Sequence, residues 1–444
     1  MNLKTLILSS LLILFITGCG KNDAESITPT QIEKEPEATI PVINNLSKEY
    51  LFTGDELIII GDNFNQTDFQ TKVFVNDTVI EPSSLSSTEI KLILETEKTG
   101  PSQIAVEVDG KLSEVAYFYA LKKGWNQLTL DGNVELKKAI VLDNDDDIYV
   151  LGDLLSGASS WSNRLFKISP SAESFISTQV ANVMNGSISN FEIDSITGNA
   201  AVTNGYNLQL FKNKFETEKN KYLAAALEDP GSGQGMNIII DENQVFYSNN
   251  MFTYGYSSDF GGTYEKKYTD WLLRPEGAGG AKYYGSIRSI KKAPSDGKIY
   301  GTGVYRKGWK YGEPDTNLIM RSDDYQNWEV IDSVTVNSER TLYQGKFFDT
   351  DLILTIDAEG NLLRSSDLAK TWSTVYPNIK RFYMRTQDEW YAISTENKVI
   401  STIDAGQTWT TELEFEETDV ISYINFSQTK IVVSGYGFLF IKYE

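Results

Sequence analysis

The sequence predicts an all-β protein in two parts, an N-terminal immunoglobulin-like β-sandwich and a C-terminal seven-bladed β-propeller, with six blades as the alternative count. Three observations predict it. An eight-residue signature, Ser/Thr-x-Asp-x-Gly-x-Thr-Trp, recurs as Ser257–Tyr264, Ser365–Trp372 and Thr402–Trp409, with a worn fourth copy over Asp323–Trp328. From residue 124 onward a strand-strand-strand-turn-strand pattern repeats roughly every 40–60 residues. Between Pro41 and Tyr119, short alternating runs are broken by turn residues about every 8–12 positions, the spacing of a sandwich.

Residues 1–18 read as a signal peptide: Lys4 precedes an apolar run from Leu6 to Ile16 that is too short to span a bilayer. The run ends Ile16-Thr17-Gly18-Cys19, which resembles a bacterial lipobox. That resemblance implies that Cys19, the sole cysteine, is acylated and becomes the mature N-terminus, multiple acyl chains giving a stable anchor. An ordinary cleaved signal is the other reading. Residues 19–39 are polar, contain Pro29 and Pro36 and show no periodicity, as expected of a tether. Their first charges, Lys21, Asp23 and Glu25, resemble the export tag of surface-displayed lipoproteins in Bacteroidota, although a plain solvated tether explains them equally.

Residues 40–121 form the predicted sandwich. The stretches Phe52-Thr53-Gly54-Asp55, Leu57-Ile58-Ile59-Ile60-Gly61-Asp62-Asn63-Phe64 and Ile104–Gly110 place a turn glycine, alternating core positions and a capping aromatic. In this they resemble the IPT/TIG family of immunoglobulin-like domains. The resemblance implies a spacer or adhesion module without chemistry of its own.

Residues 122–444 hold the predicted ring. Each eight-residue signature lies between two alternating apolar runs, so it asks for a turn whose aspartate accepts backbone N–H bonds while glycine supplies positive φ. The aromatic opening the outgoing strand packs inward and matters most for stability, a buried Trp being worth roughly 3–5 kcal/mol. Asp259, Asp323, Asp367 and Asp404 are therefore read as structural. The last unit ends one strand short, and Gly124-Trp125-Asn126-Gln127-Leu128-Thr129-Leu130 matches the strand after the signature, as in Thr408–Leu413. Closing the ring with this segment removes a free sheet edge.

Three long loops on the rim opposite these turns carry the candidate ligand-binding residues. They are Trp161 in 153–163, then Trp271, Arg274, Tyr283 and Tyr284 in 267–285, and Tyr305, Arg306, Trp309, Lys310 and Tyr311 in 304–317. Aromatic rings with a few cations suit the C–H faces and hydroxyls of sugars, whereas the bland alternative is that they plug the loops. Glu276–Gly280 lacks a following helix and is rejected as a phosphate loop. Asp143–Asp147 alternates carboxylates like the start of a calcium loop, but Ile148 and Leu154 occupy the positions that need Gly and Glu, so a solvated hairpin turn is the preferred reading.

The chain of 444 residues carries 61 acidic against 40 basic side chains, a formal charge of −21 that opposes nucleic acid or anionic lipid as partners. With no histidine, all His-dependent catalysis and imidazole metal sites are excluded. No cofactor or metal is expected.

The turns and repeat together resemble Asp-box (BNR, sialidase-like) propellers, a group implying either glycosidases or non-catalytic binding scaffolds. For a sialidase, Arg288, Arg381, Arg385 and Tyr383 stand on or near inner strands, but the Arg-Ile-Pro opening is absent. The leading expectation is a lipid-anchored outer-membrane protein at the cell surface, capturing glycan for an uptake system with a transporter partner. A protein-binding or adhesion scaffold, a glycoside hydrolase and a periplasm-facing anchor are the alternatives.

Overall fold

A computed structural model describes residues 37–128, 130–131, 134–143, 145–154, 164–171, 174–182, 190–194, 196–203, 208–215, 217–221, 237–248, 253–268, 285–293, 296–305, 316–335, 345–349, 351–357, 359–417 and 419–444. Among them every regular element is a β-strand.

The sandwich pairs two sheets. One runs Val42–Leu46, Glu56–Asp62, Glu89–Ile93 and Ser84–Leu85; the other is built around Gly100–Val108, flanked by Ala116–Leu121 and Thr71–Val75. Period-two alternation buries Leu57, Ile59 and Gly61 while Ile60 faces out. Gly61 is required because a Cβ there would meet the Val42 carbonyl oxygen at 1.9 Å and the Phe64 ring at 2.4 Å. Phe64 is fully buried behind it.

Seven four-stranded antiparallel blades follow, the first joined by the extra short strand Leu130–Asp131. Their inner strands are Val134–Val141, Asn190–Ile193, Asn237–Asp241, Gly285–Lys292, Lys346–Phe347, Ile379–Met384 and Ile421–Phe426. The core is divided among the seams between blades. Blades one and two share Ile140, Tyr149, Leu165, Phe191 and Phe211, and equivalent clusters fill the other seams.

The ring closes on the N-terminal strand. Gly124–Gln127 pairs antiparallel with Phe438–Tyr443, setting Trp125 opposite Lys442 and Gln127 opposite Phe440. Trp125 Nε1 donates to Glu412 of blade six at 2.7 Å, and Lys442 Nζ reaches the same carboxylate at 3.1 Å. On the other side of blade seven, the Ala139 N–H donates to Ser434 Oγ and the Val141 N–H to Asn425 Oδ1.

The sandwich is fused to this closure. Tyr119 and Leu121 share a buried cluster with Leu128, Leu136, Phe175, Leu439 and Ile441. Phe52 meets Tyr443 edge-on at 4.8 Å, Tyr119 meets Phe175 at 5.0 Å, and the Tyr50 hydroxyl donates to Asp146.

The recurrent turns join strands three and four of blades three to six. In blade six Asp404 accepts the Thr408 N–H at 2.8 Å, Thr408 Oγ1 at 2.6 Å and Thr402 Oγ1 at 2.7 Å, while the Gly406 N–H donates to Thr402 Oγ1. Asp259 and Asp367 repeat the set with Thr263 and Thr371. Two consecutive residues take positive φ, Ala405 and Gly406 here but Leu368 and Ala369 in blade five, so glycine is not obligatory.

In the worn copy the closing carboxylate is Asp324 and not Asp323. As in the other copies the carboxylate falls two residues after the hydroxyl, Ser322, but the loop from Asp324 to Trp328 is one residue shorter, and Asp324 accepts the N–H groups of Gln326 and Asn327 at 2.9 and 2.7 Å. Asp323 stays 75% exposed beside Lys298 at 3.6 Å.

Each turn also reaches across a seam. Phe260 and Tyr264 join the cluster between blades two and three, Tyr325 and Trp328 that between three and four, Leu368 and Trp372 the next, and Ala405 and Trp409 the one after. Blade two has no such aspartate, yet Phe215 in its corresponding turn takes φ 76° and packs on Tyr149, Phe191 and Phe211 of the preceding seam.

Two outcomes test this account. Trp125→Ala, which removes the indole from the clasp and the donor from Glu412, is expected to cost about 3 kcal/mol in urea unfolding. An unchanged midpoint would mean that the clasp is not holding the ring. For Asp404, Thr408 hydroxyl and N–H donation hold the carboxyl down at about 2. A depressed carboxyl stabilises fully above the unfolded value near 4 and loses that contribution as pH falls through about 2. Asp404→Asn should therefore melt several degrees below wild type at pH 7 and alongside it near pH 2.

Candidate functional site

The inner strands bring a set of basic side chains into the bore of the ring. Register defines two levels. Glu192, Lys291 and Lys346 each oppose the second residue of the neighbouring strand, namely Ala201, Tyr300 and Leu354. Two residues further along, Lys138 opposes Leu151 and Arg381 opposes Ile393, while Tyr423 opposes Ser434, the fifth residue of its neighbour. In these last three strands a β-bulge immediately precedes the named residue, and bulges re-aim side chains.

The cations are braced by aromatic rings and carbonyls. Lys138, 14% exposed, lies 3.6 Å from Glu192, stands over the Tyr423 ring at 4.4 Å and donates to the Phe191 carbonyl. Lys346 donates to the Phe382 carbonyl at 2.7 Å and lies 4.6 Å from the centre of the Tyr383 ring. Arg381 donates to the Ser422 carbonyl. Rings and carbonyls orient an ammonium without neutralising it.

The electrostatics reflect this. Burial, then the charges of Lys291, Lys138 and Arg381, lower Lys346 to about 7 despite the opposing pull of Glu192. Burial also lowers Lys291, against Glu192. Burial raises the Tyr383 hydroxyl to about 12, with Tyr423 adding to it, and raises Tyr423 as well, with Glu192 as the next cause. Glu192 is the carboxylate that acts most strongly on Lys346. The arrangement gathers Lys138, Lys291, Lys346 and Arg381 around Glu192, with burial opposing the charge on Lys291 and Lys346.

Of the residues expected from sequence, Cys19, Trp161, Trp271, Arg274, Tyr283, Tyr284, Arg306, Trp309, Lys310 and Tyr311 lie outside the described residues. Tyr305 is the last residue of Ile299–Tyr305, paired with Gly285 and Thr316, and its side chain also lies outside the description.

Of the arginines considered for a sialidase, Arg381 and Arg385 do not converge, and the side chain of Arg288 lies outside the description. Arg381 is in the bore, whereas Arg385 follows the same strand's end, roughly 13 Å further along. It is held there by Glu389 at 3.0 Å, Glu444 at 2.7 Å and the Ser427 carbonyl at 2.8 Å. Arg288 occupies the bulge of its strand.

The acidic turn 143–147 is a hairpin, but its carboxylates are paired and not simply solvated. Asp145 meets Lys214 at 2.7 Å and the Tyr149 hydroxyl at 3.0 Å, Asp147 meets Lys167 at 3.2 Å, and Asp146 lies 3.5 Å from the buried Lys430. Burial works to raise Asp145, but donation from Lys214, then from the Asp147 N–H and the Tyr149 hydroxyl, brings it below its ordinary value. A second concavity of about 460 Å³ lies at the seam of sandwich and ring, lined by Lys48, Glu49, Tyr50, Phe52, Asp55 and Pro170. Tyr50 there is committed to Asp146, and Asp55 accepts the Phe52 N–H.

Comparison with known proteins gives a family for the sandwich. Residues 41–120 match the IPT/TIG domain. No curated protein matches the chain. Among solved structures it is similar to YCF48 from Cyanidioschyzon merolae, at 14% identity and a TM-score of 0.49 over 72% of this chain and 98% of that one. It is also similar to an auxiliary nutrient binding protein from Bacteroides ovatus ATCC 8483, at 12% identity and a TM-score of 0.36 over 91% and 98%. One of the same description from Bacteroides thetaiotaomicron VPI-5482 gives 12%, 0.35, 91% and 98%.

Removing a charge that its surroundings oppose should stabilise the protein. Lys346 has a folded value lowered to about 7 from an ordinary 10.5, so the unfolded chain binds more protons between those values. Stability accordingly rises with pH across that window. Lys346→Met is expected to melt above wild type at pH 6, with the difference shrinking by pH 10; a variant that melts lower at pH 6 would contradict the electrostatic reading.

Proposed function

We propose that this protein is a non-catalytic capture protein, anchored by lipid at Cys19 to the outer membrane and displayed at the cell surface. In this reading the sandwich is a spacer. The ring binds extracellular glycan for an outer-membrane uptake system, using the aromatic loops that carry Trp161, Trp271 and Trp309.

The observation that carries the reading is the make-up of the bore. Glycoside cleavage needs two carboxylates flanking the scissile bond, about 5 to 9.5 Å apart. Among the described residues the bore offers Glu192 together with Lys138, Lys291, Lys346 and Arg381, a set suited to holding a ligand. The aspartates of the recurrent turns accept several hydrogen bonds each and are engaged in structure. The chain's lack of histidine removes the commonest general base.

Electrophoresis through gels carrying a panel of glycans tests the proposal. Wild type should be retarded by at least one glycan, with retardation lost in Trp309→Ala or Trp271→Ala. Unaltered migration on every glycan would favour a protein-binding scaffold. Sugar released from sialosides or β-glucans would replace capture by hydrolysis.

A further inference from the structure

The sandwich does more than precede the ring. Between the end of Ala116–Leu121 and the start of Gly124–Gln127 stand Lys122 and Lys123, and that short connection is pinned. Asn126, buried in the closing strand, accepts the Lys122 N–H at 3.0 Å and donates to the Lys122 and Gly124 carbonyls at 2.7 and 3.0 Å. The exit strand is braced in turn by Tyr50–Phe52, which pairs parallel with it, and by the Thr53 N–H on the Leu121 carbonyl at 2.8 Å.

We propose that the sandwich is the clamp of the ring: the latch between Gly124–Gln127 and Phe438–Tyr443 opens only when the sandwich lifts off blades one and seven. This goes beyond the capture reading and holds whether or not the ring binds glycan.

Three contacts carry it. Tyr119 and Leu121, on one face of the exit strand, are 1% and 0% exposed and share a cluster with Leu128, Phe175, Leu439 and Ile441 of the ring. Opening the latch moves Leu439 and Ile441 away from Leu128 and so breaks the cluster that holds the sandwich. Neighbouring domains move freely unless their interface is apolar and enclosed, as this one is. Phe52 rests edge-on against Tyr443, the latch residue paired with Gly124. Finally, Asp146 accepts the Tyr50 hydroxyl, while beside it the Asp145 carbonyl accepts from Lys430 Nζ and Asp143 accepts the Gln428 N–H. The acidic turn thereby ties sandwich, blade one and blade seven at one point.

The position of the clamp follows from connectivity. That turn joins strands one and two of blade one, Tyr443 ends strand three of blade seven and Phe175 begins strand four of blade one, which puts the sandwich on the rim of the recurrent turns. Strand two of blade four ends at Tyr305 on the opposite rim, which lies away from the clamp.

Hydrogen exchange read by mass spectrometry on the full chain tests this in wild type, Tyr50→Phe and Leu57→Ala. Tyr50→Phe deletes one hydrogen bond to a carboxylate at the interface, and Leu57→Ala loosens the sandwich from a buried position outside the shared cluster. Amides of the two latch strands, 124–127 and 438–443, are expected to exchange about tenfold or more faster in both variants. Tyr50→Phe leaves every ring in place and carries the test if Leu57→Ala does not fold. Latch amides that keep the wild-type rate in either folded variant would overturn the clamp and leave the sandwich an independent spacer. A wild-type latch that exchanges well ahead of Ala116–Leu121 would do the same.

Discussion

Packing at the seams between blades is the constraint on which the rest of this molecule depends. A four-stranded sheet has two faces to bury, and in a ring both are covered only if every neighbour is present. The recurrent turns serve that packing. Their aspartates shape a tight loop with two positive φ angles, or with one at Tyr325 in blade four, which carries the residue after the aspartate, and the aromatic that follows, across to the preceding blade. Phe215 does the same in blade two without an aspartate, so the hydrophobic reach is the retained element and the carboxylate is one way of building it.

Because the seams supply the core, the bore is relieved of that task. Its inner strands can carry lysine and arginine without hollowing the hydrophobic clusters, which lie further out between the sheets. Stability is thereby placed in the seams, away from the axis. The acidic turn 143–147 shows the opposite solution on the same scaffold, with Lys167, Lys214 and Lys430 drawn from three places to balance its carboxylates.

Much of the ring was legible in the sequence because its signals are local. A hydroxyl, an aspartate two residues on and an aromatic five residues after that can be read in one window. The closing strand was recognisable from the likeness of Trp125-Asn126-Gln127-Leu128 to the strand after a turn. The worn copy misled by one position, since deleting a residue brought Asn327 to the place of the threonine and left two adjacent aspartates to choose between. The bore lysines were not legible. Each reads singly as an ordinary exposed lysine on an alternating strand, and only ring closure brings Lys138 into the same field as Lys346. A bulge, which moves a side chain without leaving a composition signal, hides them further.

The two residues Lys122 and Lys123 are all that separate the last strand of the sandwich from the strand that closes the ring. Tension applied to the sandwich from its N-terminal side, while the ring is gripped by a bulky load, therefore passes into the latch itself. Gly124–Gln127 lies antiparallel to Phe438–Tyr443, so a pull along it loads its backbone bonds together in shear and does not peel them one by one. The Phe52–Tyr443 and Tyr119–Phe175 contacts bridge the same joint and share the strain.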